Sequence, residues 1–347
     1  MRAMPLPAVV FENASPRSIS AVNLIPNPSP SPKLFAALRQ AFAIHLAGAD
    51  AAKVINNLST NDVSKLAVGA SCETFVTDAR GWIVAHAGVV KREDEAWLLG
   101  SHPSPAAIAK HLDRYIIREA AVVSDHSAEL ALFAVHDSPP GQADARAPGG
   151  ASMGAASSAS TDSSQALIES LQLARVSPSI FASWLPIWGP GTSLLCCPRE
   201  QAAELRQRLE AHDFAECAGE QFEWLRISGF WPLPPADIGD KTIPQELDRD
   251  QQAISFTKGC YLGQETIARL DARGQLQKKL CLIELDAAGQ YAVGDAFRNV
   301  DKEVGKITSL ARDPVSEQVR ALAYLRRGNF ETGTRLSCNE LVASVLR

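Results

Sequence analysis

The sequence is short of several things, and each shortage excludes a class of function. No apolar run approaches the roughly 20 residues a helix needs to cross a bilayer, so no membrane-spanning helix is expected. The N-terminus, M-R-A-M-P-L-P-A-V-V-F, has prolines where a secretory signal has an unbroken apolar core. Basic excess is absent: 34 Lys and Arg stand against 39 Asp and Glu, a net charge of −5. General nucleic-acid binding rests on neutralising phosphates with a basic surface, and is not expected of this chain. Close cysteine pairs are also missing. The seven cysteines (Cys72, Cys196, Cys197, Cys217, Cys260, Cys281 and Cys338) are odd in number and form no C-x-x-C. That pattern reads as reduced thiols in a cytoplasmic setting, without a disulfide framework or a metal site of the chain's own.

What is present is an ordinary globular chain. Its 347 residues, 46% of them hydrophobic, suffice for two or three domains with a sizeable core. Residues 1–32, with P-N-P-S-P-S-P, read as an extended arm. Residues 33–137 read as a first α+β half. In it, Leu34–Leu46 fits either a helix or a strand, Asp50 caps a helix, and C-E-T-F-V-T-D-A-R-G-W-I-V-A-H-A-G-V-V is a hairpin. A strand at 97–100, a helix over 105–117 and a strand at 130–135 follow. Residues 138–164 lack large apolar side chains and cannot offset their ordering entropy, so a disordered insertion is expected. Residues 165–275 read as a second α+β half: S-L-L-C-C-P-R-E-Q-A-A-E-L echoes the strand, proline break and helix of W-L-L-G-S-H-P-S-P-A-A-I. From 276 to 347, short strand-like runs separated by Gly, Asp and Pro predict a small antiparallel barrel.

The most pointed stretch is A-I-S-F-T-K-G-C-Y-L-G-Q-E-T-I-A-R, residues 253–269. Residues 254–257 alternate as a short strand does. Gly259 and Gly263 allow a tight loop, and a helix is expected from Gln264 to Leu270 with Glu265 in its first turn. Cys260 reads two ways. It is either a small buried apolar residue, or a thiol whose thiolate is favoured by Lys258 and a nearby helix start.

K-G-C-Y-L-G-Q-E followed by T-I-A-R resembles the signature of the YgfZ family, a relative of the glycine cleavage T-protein (aminomethyltransferase). L-A-G-A-D…L-S-T-N-D, P-Q-E at 244–246 and V-G-K-I-T-S-L resemble other blocks of that superfamily. The resemblance implies two T-protein-type, ferredoxin-like α+β halves around a central cleft, plus a C-terminal antiparallel β-barrel. It also implies a role in assembly or repair of iron–sulfur proteins, with effects on tRNA thiomodification, and iron–sulfur client or assembly proteins as partners. Tetrahydrofolate or a related folate is the implied cofactor. A folate site needs an aromatic wall, a cation and a polar edge. The candidates are Tyr261, Gln264, Glu265, Arg269, Arg226, Trp231 and Asp78, with Cys260 and Lys258 carrying any chemistry. Each has a plainer reading: tryptophans are more often core, arginines more often solvated, and Thr60, Asn61 and Asp62 turn and cap residues. Two departures weigh against aminomethyl transfer. Ser228 stands where those enzymes carry a pterin-reading glutamate, and Val84 and Ala85 where they carry an aspartate. Within reach of that aspartate's place are His86 and Asp78. The alternatives are therefore a folate-dependent one-carbon transferase and a non-redox small-molecule-binding module.

Overall fold

The computed structural model describes residues 33–137, 167–171, 180–189, 191–217, 219–274 and 276–347. The expected arm at 1–32 and insertion at 138–164 lie outside the described residues. In chain order the described elements before the C-terminal strands include β1 (Leu34–Ala37), β2 (Ala41–Ala47), α1 (Ala51–Leu58), β3 (Ser71–Thr77), β4 (Ile83–Arg92), β5 (Glu95–Ser101), α2 (Pro105–Asp113), β6 (Val122–Asp125), β7 (Leu130–His136), β8 (Phe181–Trp184), β9 (Thr192–Pro198), α3 (Ala202–Ala211), β10 (Ala215–Glu216), α4 (Glu220–Ser228), a helical turn at Asp250–Ala253 and α5 (Gln264–Arg273). Leu34–Leu46 resolves into two strands. Gln40, at φ 49°, turns the chain between them.

One sheet runs β3-β4-β5-β2-β6, antiparallel throughout. Its apolar face is covered by α1, through Val54, Ile55 and Leu58, and by α2, through Ile108 and Leu112. The 3.6-residue spacing of those side chains puts them on one stripe of each helix. The second sheet runs β10-β1-β7-β9-β8. It draws β1 and β7 from before residue 138 and β8, β9 and β10 from after residue 180, so the two expected halves interleave. Leu205 and Leu209 of α3 pack on it.

The C-terminal strands β11 (Lys278–Leu285), β12 (Ala296–Asn299), β13 (Lys302–Arg312), β14 (Val319–Arg326), β15 (Arg335–Cys338) and β16 (Leu341–Val345) close a barrel in the order β11-β14-β13-β12-β15-β16. Closure removes exposed sheet edges, and the interior is filled by Ile283, Phe297, Ile307, Leu325 and Val345 among others. The architecture is thus α+β with a closed six-stranded barrel.

Residues 254–257 are not a strand. They follow the helical turn, and the Ser255 N–H donates to the Thr60 carbonyl at 2.9 Å. Of the two apolar residues in the alternation, Ile254 is buried against the core while Phe256 faces solvent.

Candidate functional site

The last carbonyls of a helix need donors from elsewhere, and α1 carries no basic residue in its final turn. Lys258 supplies them from across the fold. Its Nζ donates to the carbonyls of Asn56 (2.6 Å), Ser59 (2.9 Å) and Asn61 (2.7 Å). The same region holds the signature loop at several other points. Thr60 Oγ1 donates to Ala253 O at 2.6 Å, and Asn61 Nδ2 donates to Gln252 O at 2.9 Å and to Glu73 O at 2.8 Å. The Leu262 N–H meets Asn57 O at 2.8 Å, while Thr77 Oγ1 donates to Leu262 O at 2.7 Å. Gly263 has φ +80°, and a Cβ there would stand 2.4 Å from the Asp78 carbonyl, so the loop passes against the β3–β4 turn where only glycine fits.

Beneath the loop lies a buried charged cluster. Glu73 on β3 is fully buried and receives Arg249 through both arms, Nε to Oε1 and Nη2 to Oε2. His86 Nε2 lies 2.8 Å from the same carboxylate. Arg249 Nη1 also donates to Phe230 O at 2.8 Å. The imidazole stacks on Trp231 with centroids 4.1 Å apart, and the Arg249 guanidinium sits 4.9 Å from that ring. Burial alone would raise the Glu73 pKa. The Arg249 charge and the hydrogen bonds from Arg249 and His86 outweigh it and hold the group at about 2. Burial pushes the His86 pKa down against the pull of Glu73; Nε2 faces the Glu73 carboxylate and Nδ1 lies 3.5 Å from the Pro232 carbonyl. Sequence reasoning missed Glu73 and Arg249. The available signal was a lone carboxylate within an apolar strand, which needs a buried partner.

The nominated residues fall into three groups. Cys260, Glu265 and Arg269 are exposed, and Gln264 is half-buried. Cys260 is the one exposed cysteine of the seven. Lys258 and Tyr261 are buried, with the ammonium 5.0 Å from the tyrosine ring centroid, and burial pushes the Tyr261 pKa up to about 12. The expected pairing of Lys258 with the Cys260 thiol is corrected, because all three protons of the ammonium are committed to carbonyls. The thiol whose ionisation Lys258 does favour is Cys72, which burial nevertheless pushes up to about 12.

Arg226, Trp231 and Asp78 are engaged elsewhere. Arg226 is buried, bonded to Asp237 Oδ2 (3.0 Å), Trp231 O (2.8 Å) and Glu223 Oε2 (2.9 and 2.5 Å). Asp237 in turn accepts from Thr308 Oγ1 (2.5 Å) and Ser309 Oγ (2.7 Å), tying α4 to the barrel. Trp231 is covered by His86 and Arg249. Asp78 Oδ1 accepts the Arg80 and Trp82 N–H groups at 2.8 and 2.9 Å, shaping the hairpin turn. Ser228 Oγ is buried with no partner among the described residues. Two cavities, of about 530 and 430 Å³, lie elsewhere, and Cys260 lines neither.

No protein-family model matches the chain. The chloroplastic protein At1g60990 of Arabidopsis thaliana is 25% identical over 307 residues, 87% of this chain and 67% of that protein. The tRNA-modifying protein YgfZ of Colwellia psychrerythraea is 32% identical over 83 residues, 24% of this chain and 25% of the relative. That of Yersinia enterocolitica is 35% identical over 106 residues, 29% and 31%. The matches to YgfZ proteins thus span about a quarter to a third of their length. The crystal structure of the glycine cleavage system aminomethyltransferase T from Bartonella henselae superposes with a TM-score of 0.74 at 13% identity, over 91% of this chain and 86% of that one. Over part of its length this chain is thus similar to YgfZ proteins, and its architecture is that of the aminomethyltransferase T fold.

Proposed function

We propose that the protein is a YgfZ-like factor in the assembly or repair of iron–sulfur proteins, acting through the thiol of Cys260. The observation that carries the reading is that six of the seven cysteines are buried or half-buried while Cys260 stands exposed on a loop fixed from both sides. A fixed, accessible sulfur can meet a metal centre held by another protein. The step is ligand exchange without redox change. Cys260 loses its proton to solvent, its sulfur donates an electron pair to a client's iron, and the ligand it replaces leaves with a proton taken up. A transient sulfur ligand of this kind fits a partner that is itself an iron–sulfur protein or its assembly machinery, and it fits an effect on tRNA thiomodification through such an enzyme.

Aminomethyl transfer finds little support in β4. Val84 and Ala85 carry no carboxylate, and the adjacent His86 is spent on Glu73. Three of the seven residues nominated for folate are engaged elsewhere. Arg226 is saturated, the face of Trp231 is covered, and Asp78 is used within its turn. No step is therefore routed through a folate.

The test uses cells lacking the chain, with the activity of an iron–sulfur enzyme and the level of a thiolated tRNA base as readouts. Cys260→Ser is expected to leave both at the level of cells without the chain, while the buried-site control Cys281→Ser restores them. Full restoration by Cys260→Ser at equal soluble protein would overturn the proposal.

A further inference from the structure

The cavity of about 530 Å³ opens where three parts of the fold meet. Arg39 reaches it from the β1–β2 turn, Glu220 and Glu223 from the first turn of α4, and the barrel closes the remaining side. Its volume falls within the roughly 300–1,000 Å³ of small-molecule sites, which favour such junctions.

The barrel wall is built in advance of any ligand. Tyr291 lies directly over Gly289, where a Cβ would come within 2.3 Å of its ring. Its hydroxyl donates to Asp286 O at 3.1 Å. Arg312 donates to Ala287 O at 3.0 Å and Gly289 O at 3.2 Å, fixing the same turn, and lies 3.6 Å from Glu317. Arg312 is thus an occupied cation. Glu223 has one oxygen taken by Arg226. Arg39 and Glu220 are different. Both are exposed, and neither has a hydrogen-bond or ion-pair partner among the described residues. They carry opposite charges on separate elements, face one cavity and do not pair with each other. Leu310 and Val319 line the same cavity with apolar side chains.

An unpaired cation and an unpaired carboxylate lining one cavity together with apolar side chains match a molecule with both charges and an apolar body. We propose that this cavity binds a small zwitterion of the amino-acid class. Its carboxylate pairs with Arg39 and its ammonium with Glu220, supplemented by the second oxygen of Glu223. Its apolar side chain lies on Tyr291 and Leu310. The site is separate from Cys260, and the proposal stands or falls without it.

Isothermal titration of the full chain with L-phenylalanine and L-leucine tests it, beside 3-phenylpropionate, which lacks the ammonium, and 2-phenylethylamine, which lacks the carboxylate. Saturable binding of at least one amino acid is expected, with each half-ligand at least about tenfold weaker. Arg39→Ala should erase the advantage of L-phenylalanine over 2-phenylethylamine. Glu220→Gln should erase its advantage over 3-phenylpropionate. Both positions are exposed, so both variants should fold as the parent does. No saturable binding of either amino acid up to about 10 mM, or equal binding by parent and both variants, would overturn the proposal.

Discussion

Replacing Lys258 by methionine keeps an apolar stem of similar length and removes the ammonium. Three hydrogen bonds of 2.6–2.9 Å disappear, and the carbonyls of Asn56, Ser59 and Asn61 lose that donor. Hydrogen bonds to a charged group contribute about 1.5–3 kcal/mol each, so the gross loss is about 6 kcal/mol. Against this stands the burial of the charge, which lowers the Lys258 pKa from 10.5 to about 8. At about 1.4 kcal/mol per pH unit, relief of that burial returns about 3 kcal/mol. The net expectation for Lys258→Met is therefore a destabilisation of about 3 kcal/mol, seen as a lower denaturation midpoint in urea. The Cys260 thiol, measured with a chromogenic disulfide on the native protein, should react within about twofold of the parent, because the ammonium is directed at α1 and not at the sulfur. An unchanged midpoint together with a tenfold slower thiol would refute the reasoning and make Lys258 an activator.

Arg249→Met leaves the Glu73 carboxylate buried without its guanidinium and should destabilise by about 3–5 kcal/mol, read by calorimetry or denaturant titration. Acid should act through the same cluster. Glu73, held at about 2 when folded and near 4.5 when unfolded, contributes stability that is fully present above pH 4.5 and lost as pH falls from there towards 2. That contribution is about 3 kcal/mol, and titrating stability against pH should show a flatter acid limb in Glu73→Gln. His86, whose pKa is lowered by burial, binds its proton more readily unfolded, so its part of the loss begins as pH drops below 6.5. Gly263→Ala puts a Cβ 2.4 Å from a backbone carbonyl at a positive φ and should cost about 1–3 kcal/mol or shift the loop, seen as a lower melting temperature.

The parts of this fold that were legible in the sequence are those written locally. Alternation around A-R-G gave the β3–β4 hairpin, the stripe of Val54, Ile55 and Leu58 gave α1, and regular short strands gave the barrel. Interleaving of the sheets was not legible, because β1 and β7 carry no mark of which neighbour they will pair with. The site divides in the same way. The shaped loop with glycine at 263 could be read from the motif, whereas the bearing of each side chain could not. Lys258 and Cys260 are two apart in sequence, yet one is buried against α1 and the other faces water. Glu73 and Arg249 meet across 176 positions, and Arg226 finds Asp237 only because the loop after α4 folds back. Pairings of that range leave no periodicity to detect.

The measurement closest to the central claim is a time course of iodoacetamide labelling on the native chain, with each of the seven cysteines followed by peptide mass spectrometry. The account predicts that Cys260 is alkylated at least about tenfold faster than any other, and that the buried sulfurs of Cys196, Cys281 and Cys338 label only in denaturant. Slow labelling of Cys260, with Cys72 or another cysteine reacting first, would contradict it.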